Sequence, residues 1–270
     1  MLGVWASRYS SPARDSRIDG KLMLKPRLIA VLMLNDGVLF RTRRFVPDYR
    51  YTQSFLGSDA FDEVMIIDIT RGGPSRKFDE AAERYASKCF TPVTMGGHIR
   101  SIDRIRELLL IGADKVLIGA ELWRRPAFGR EIAEKFGSQI LCAALDYNET
   151  GVLTNQGRHQ VVHGLTLDPR YAAIGAATVL EGVDAGEILL TSIERDGSLD
   201  GYDLGTIERV ANAVNIPVIA NGGCGNGDHM ADAIKAGAAA VATSNIFHIT
   251  DRGMTAMKAR VKERGVPVRP

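Results

Sequence analysis

Cysteine is scarce in this chain: Cys89, Cys142 and Cys224 are far apart and odd in number. That pattern argues against a disulfide framework and favours a reducing compartment, the cytoplasm by default. Charge of one sign is also lacking, since the formal net charge is only +2. A chain so balanced has no electrostatic footprint for nucleic acid. No apolar run approaches the roughly eighteen residues that a membrane span needs, and the first residues lack the basic, apolar and small-residue series of a signal peptide.

What remains is ample for a buried core: 270 residues, 45% of them hydrophobic. One domain is expected at this length. Residues 1–22 lack periodicity and are rich in Ser, Arg and Asp, so they read as a disordered lead-in, or an overlong start, ahead of a barrel domain spanning residues 23–270.

From Arg27 onward, short apolar runs alternate with longer amphipathic stretches, the pattern of βαβ units around a parallel sheet. The runs are Arg27–Met33, Glu63–Ile69, Thr91–Met95, Lys115–Gly119, Ile140–Asp146, Glu187–Ser192, Pro217–Asn221 and Ala239–Ser244. Between them, segments such as Ser101–Ala113 open on an N-cap serine and close near glycine, as helices do. Eight such units predict closure into an α/β parallel (βα)8 TIM barrel, with an open doubly wound sheet as the alternative. The stretches around Gly96 and Gly222 share strand, Gly-Gly, helix and strand at nearly equal spacing, so the barrel reads as two repeated (βα)4 halves. Tyr147–Gly164 reads as a β-hairpin turning at Asn155-Gln156-Gly157, on the loop after the fifth strand.

Barrel chemistry gathers at the C-terminal strand ends. Asp146 ends the fifth run behind apolar residues, which suits a general acid or base with a raised pKa, although a loop-capping aspartate fits as well. Aligning IAVLMLNDG with CAALDYNETG places Met33 where the second half has Asp146, so the first half lacks a proton-transferring group there. Asp36, three residues later, reads as a turn residue in Asn-Asp-Gly. Asn221, Gly222 and Gly223 after the seventh run, Ser244 and Asn245 after the eighth, and Asp196-Gly197 after the sixth form a candidate phosphate site, with glycine giving the anion access to backbone N–H groups. In the first half Gly97, His98 and Gly119 are the counterpart, with His98 placing a bulky ring where a third glycine might stand. Arg27, Glu63, Lys115 and Glu187 each open a strand, so they can meet at the barrel bottom; on position alone they read as stabilising ion pairs.

FGSQILCAALD, AGEILLTSIERDGSLDGYD, PVIANGGCG and GADKV resemble the cyclase subunit of imidazole glycerol phosphate synthase, from about Leu24 to the C-terminus. The resemblance implies a lyase of histidine biosynthesis that uses no metal or organic cofactor. It implies a cytoplasmic heterodimer in which a glutaminase docks on the barrel bottom and ammonia crosses the barrel to a bisphosphorylated ribulosyl nucleotide. It assigns Arg27, Glu63, Lys115 and Glu187 to an ammonia gate, and Asp146 to the second of two catalytic aspartates. The chain departs from the family at Met33 in place of the first aspartate, at His98, at Gly119-Ala120, at Asn245, and in a short first crossover between Phe45 and Glu63. An apolar strand-one residue and the opening LKPRLIAVLMLNDG resemble a paralogue subgroup that supplies ammonia for acetamidino-sugar synthesis. An ordinary histidine-pathway cyclase and a non-catalytic barrel that activates its glutaminase are the alternatives.

Overall fold

The computed structural model describes residues 17–18, 21–22, 25–51, 61–154, 169–244 and 254–269. Eight parallel strands form the barrel: β1 (Arg27–Asn35), β2 (Glu63–Asp68), β3 (Val93–Gly96), β4 (Lys115–Ile118), β5 (Leu141–Asn148), β6 (Glu187–Ser192), β7 (Val218–Asn221) and β8 (Ala240–Thr243). Each pairs with the next, and β8 returns to β1 with Ala240 opposite Arg27. Closure leaves no sheet edge between the halves, and the open-sheet alternative is excluded.

Helices α1 (Arg76–Ala86), α2 (Ile102–Leu110), α3 (Ala120–Arg124), α4 (Ala127–Phe136), α5 (Pro169–Glu181), α6 (Leu204–Ala213), α7 (Gly227–Lys235) and α8 (Met254–Glu263) lie outside the strands. Their starts follow capping chemistry: Ser101, Asp203 and Asn226 accept from the backbone N–H of Arg104, Thr206 and His229. Helix side chains such as Phe78, Ile105, Phe128, Val210 and Met230 are fully buried against the outer strand faces. Alternate strand positions turn inward, where Ile29, Val31, Met65, Leu117, Leu189 and Ile219 fill the barrel. No described helix is long and apolar enough to cross a membrane. The three cysteines are free.

The segment after β1 departs from the regular pattern. Asp36-Gly37 makes a two-residue turn with φ of +51° and +77°, as Asn-Asp-Gly foretold. The chain then runs back as Val38–Arg43 and out again as Val46–Arg50, an antiparallel meander attached to the barrel. After β5, Gly151–Val152 pairs antiparallel with Tyr147–Asn148, so the described turn sits at Glu149-Thr150. The expected turn at Asn155-Gln156-Gly157 lies outside the described residues. Arg17–Ile18 pairs antiparallel with Lys21–Leu22.

Candidate active site

The four charged strand openings do meet. Arg27 donates to Glu63 and Glu187, at 2.6 Å each, and Lys115 reaches Glu187 at 2.8 Å and Glu63 at 3.2 Å. Thr94 Oγ1 adds a bond of 2.7 Å to Glu63. Two cations and two carboxylates therefore alternate in a closed ring across the N-terminal end of the barrel. Burial costs Glu187 solvation, yet Arg27 and then Lys115 hold its carboxyl below the ordinary glutamate value.

At the other end lies a cavity of about 380 Å³, walled by Met33, Ile67, Ala144, Asp146, Asp196 and Asn221 among others. Asp146 enters it from the end of β5, in register with Thr191 of β6. Burial raises its carboxyl from 3.8 to about 7; the hydrogen bond with Thr191 works against that rise, and the nearby Asp196 adds to it. Asn221 donates to Thr191 Oγ1 at 3.2 Å, which extends the polar chain along the mouth. A carboxyl that titrates near neutrality is suited to passing a proton in either direction. It also sets a stability signature. The folded state holds this proton more tightly than the unfolded chain does, so stability falls as pH rises from about 4 to about 7 and is level above. Asp146→Asn is therefore expected to raise the melting temperature at pH 8 and leave it nearly unchanged at pH 4. A lower melting temperature at pH 8 contradicts the assignment.

Asp196 has a different task. Its buried carboxylate accepts from Thr42 Oγ1 at 2.7 Å and from the N–H of Phe45 at 3.0 Å, while its carbonyl accepts from Arg44 at 3.1 Å. Arg44 and Phe45 form the second two-residue turn of the meander, with φ of +51° and +63°. Neither is glycine or asparagine, so each costs roughly 1–2 kcal/mol in that region. Asp196 offsets this by fixing the turn over the mouth, where Phe45 lines the cavity. Gly197 permits the approach, since a Cβ there would stand 2.5 Å from the Thr42 carbonyl. Thr42→Val removes one donor from a buried carboxyl, a loss of about 1–3 kcal/mol. Trypsin is then expected to cut after Arg43 or Arg44 about tenfold faster; unchanged cleavage contradicts the latch.

The glycine turns also resolve the repeat. Gly97 (φ +101°) and His98 (φ +56°) match Gly222 (φ +90°) and Gly223 (φ +98°) in conformation. A Cβ on Gly97 would meet the carbonyl of Asp68 at 2.4 Å, and one on Gly222 the carbonyl of Ser192 at 2.6 Å, the carbonyls that end β2 and β6. Gly97 thus stands opposite Gly222 and His98 opposite Gly223, as the repeat copy Gly96-Gly97-His98 places them. Its ring is already engaged: Nε2 lies 2.7 Å from the carbonyl of Thr70 and must donate to it.

Gly97, His98 and Gly119 line the large cavity with Asp146, Asp196, Asn221 and Ser244. Gly197, Gly222 and Gly223 line a narrow adjoining recess of about 10 Å³, shared with Asp196, Asn221 and Ser244. Asn245 lies outside the described residues. Asp36 is not part of the cavity wall; its carboxylate is held by Ser75 and Lys77. Sequence reasoning overlooked Thr42, Thr191, Arg100, Glu121 and Arg124. Only Thr191 carried a signal, its inward parity with Glu187 on the same strand. Among the described residues, no three or more His, Cys, Asp or Glu side chains converge as metal ligands.

A closed (βα)8 barrel with a titratable carboxylate and glycine turns at the C-terminal strand ends defines a small-molecule barrel of the enzyme type. The model of the family "Histidine biosynthesis protein" matches residues 30–252. The imidazole glycerol phosphate synthase subunit HisF of Hydrogenobaculum sp. is 37% identical over 254 residues, 92% of this chain and 100% of the relative. HisF of Thermobifida fusca is 37% identical over 236 residues, covering 86% and 92%. The chain belongs to the HisF-like histidine biosynthesis protein family.

Proposed function

We propose that this barrel takes ammonia from a glutaminase bound at its N-terminal face and conducts it to a phosphorylated ligand in the mouth, as a paralogue that supplies ammonia for sugar amidination. One observation carries the proposal. On the strand-one side the cavity wall is the thioether of Met33, which cannot move a proton. Asp36, the nearest carboxylate along the chain, is committed to Ser75 and Lys77. Asp146 is left to do alone what the family's chemistry divides between two aspartates. The ring of Arg27, Glu63, Lys115 and Glu187 suits an entrance that strips solvent from ammonium. The interior above it includes Cys142, Ala144, Ala240 and Ala242, small side chains that favour a neutral molecule over a cation. That the relatives are named as subunits is consistent with a partner.

Ordinary histidine-pathway cyclisation has one observation in its favour. Asp196 shares the cavity with Asp146 and its carboxyl is also raised by burial. Turnover of the ribulosyl nucleotide with ammonium salt separates the readings. The paralogue gives rates near background. Rates typical of a working cyclase, lost in Asp196→Asn, establish the second reading instead.

A further inference from the structure

Met33 stands where two features of the mouth meet. Its thioether belongs to the cavity wall and the side chain is only half-buried, so a small oxidant in the cavity reaches the sulfur. Other methionines are sealed off: Met65, Met95 and Met230 are fully buried, and Met257 is 5% exposed. Sδ of Met33 also lies 3.4 Å from Thr42 Oγ1, the hydroxyl that donates to Asp196 at 2.7 Å. A hydroxyl carries one proton and a thioether is a weak acceptor, so the proton goes to the carboxyl. That choice helps Asp196 hold the turn at Arg44-Phe45.

We infer that Met33 is a redox-sensitive site: its oxidation to the sulfoxide by a hydroperoxide draws Thr42 away from Asp196 and unlatches the meander over the mouth. In this step a sulfur lone pair attacks one peroxide oxygen. An S–O bond forms as the O–O bond breaks, and the other oxygen of hydrogen peroxide leaves as water. Sulfur loses two electrons and the peroxide gains them. The new oxygen is a strong acceptor, bonded to an atom already beside the Thr42 hydroxyl. It competes for the one proton that Asp196 receives from that hydroxyl, and it makes an apolar stretch of the cavity wall polar. The two left-handed residues of the turn are then held by fewer bonds, so their strain favours opening. Reduction by a methionine sulfoxide reductase restores the latch, with a dithiol closing to a disulfide as the oxygen leaves in water. The inference is independent of which reaction the barrel performs.

Treatment of the full chain with hydrogen peroxide tests it, read by peptide mass spectrometry and by the rate of tryptic cleavage after Arg43 or Arg44. Met33 is expected to be oxidised first, while Met65, Met95, Met230 and Met257 stay reduced in the folded chain. Cleavage at the turn then rises about tenfold, as for the loss of one donor to a buried carboxyl. It returns to the starting rate after treatment with the two reductases, one for each sulfoxide epimer. Met33→Leu keeps slow cleavage with or without peroxide. In Thr42→Val the hydroxyl is already gone, so peroxide adds less than about twofold to an already fast cleavage. Oxidation of the buried methionines ahead of Met33 overturns the site. Met33 sulfoxide with unchanged cleavage overturns the coupling to the latch. A peroxide response that persists in Met33→Leu belongs to another residue and overturns the inference as well.

Discussion

Met33→Asp is expected to raise ammonium-driven turnover of the ribulosyl nucleotide by about a hundredfold or more, the range over which one positioned acid or base contributes. Strand β1 already carries residue 33 to the cavity wall, so the backbone need not move to present a carboxylate there. Asp146 remains on β5 with a carboxyl raised to about 7, and the cavity then has a proton-transfer group on both the β1 and the β5 side. The change has a cost that geometry identifies. Met33 Sδ lies 3.4 Å from Thr42 Oγ1, which in turn donates to Asp196. A second carboxylate at this point competes for that hydroxyl and repels Asp196, so the turn at Arg44-Phe45 loosens as activity rises. Met33→Asn matches the size of aspartate but cannot ionise, and Met33→Leu keeps the packing; both are expected to stay at the basal rate. Equal rates for the aspartate and asparagine variants contradict the claim that the missing proton carrier limits the reaction.

Arg27→Ala is expected to have the largest effect on stability. It removes a partner from Glu63 and from Glu187 together, leaving two buried carboxylates to share Lys115. Breaking a buried ionic cluster by removing one member costs about 3–5 kcal/mol. For a chain of this size that lowers the melting temperature by about 10 °C. The pH dependence fixes the cause. Glu187 is held below its ordinary value in the folded state, so its ionised form contributes stability at neutral pH that is lost as pH falls through the folded pKa. The gap between the parent and Arg27→Ala is therefore widest near pH 7 and narrows in acid. Arg106→Ala, which breaks only an exposed pair with Asp103, shifts stability by less than about 1 kcal/mol. A gap that does not change with pH points to lost packing by the arginine stem instead of lost pairing.

The barrel was legible because buried parallel strands are nearly continuous apolar runs, and each of the eight observed strands begins and ends within two residues of its expected bounds. The bottom ring was legible as well, since strand-opening charges on an inward phase have few other places to meet. The meander after β1 was not. Its second turn uses Arg44 and Phe45 at positive φ, without the glycine or asparagine by which such turns are recognised. What holds it is Asp196, more than 150 residues away along the chain, a tertiary contact with no local signature. The repeat was visible, and with it the pairing of Gly96-Gly97-His98 with Asn221-Gly222-Gly223; the fold adds the reason, since a Cβ on Gly97 or on Gly222 would strike a strand-ending carbonyl. Arg100 and Arg124 were overlooked because charges on loops and short helices normally face solvent, and only the cavity shows what they face here.

We propose that this barrel passes ammonia without closing an imidazole ring. One experiment supplies the protein, mixed with a glutaminase that it stimulates, with glutamine labelled at the amide nitrogen with ¹⁵N, together with the ribulosyl nucleotide, and follows the label. The label is expected to leave as ammonia, with imidazole product near background until Met33 is replaced by aspartate. Labelled imidazole glycerol phosphate formed by the unaltered chain, in step with glutamine hydrolysis, contradicts it.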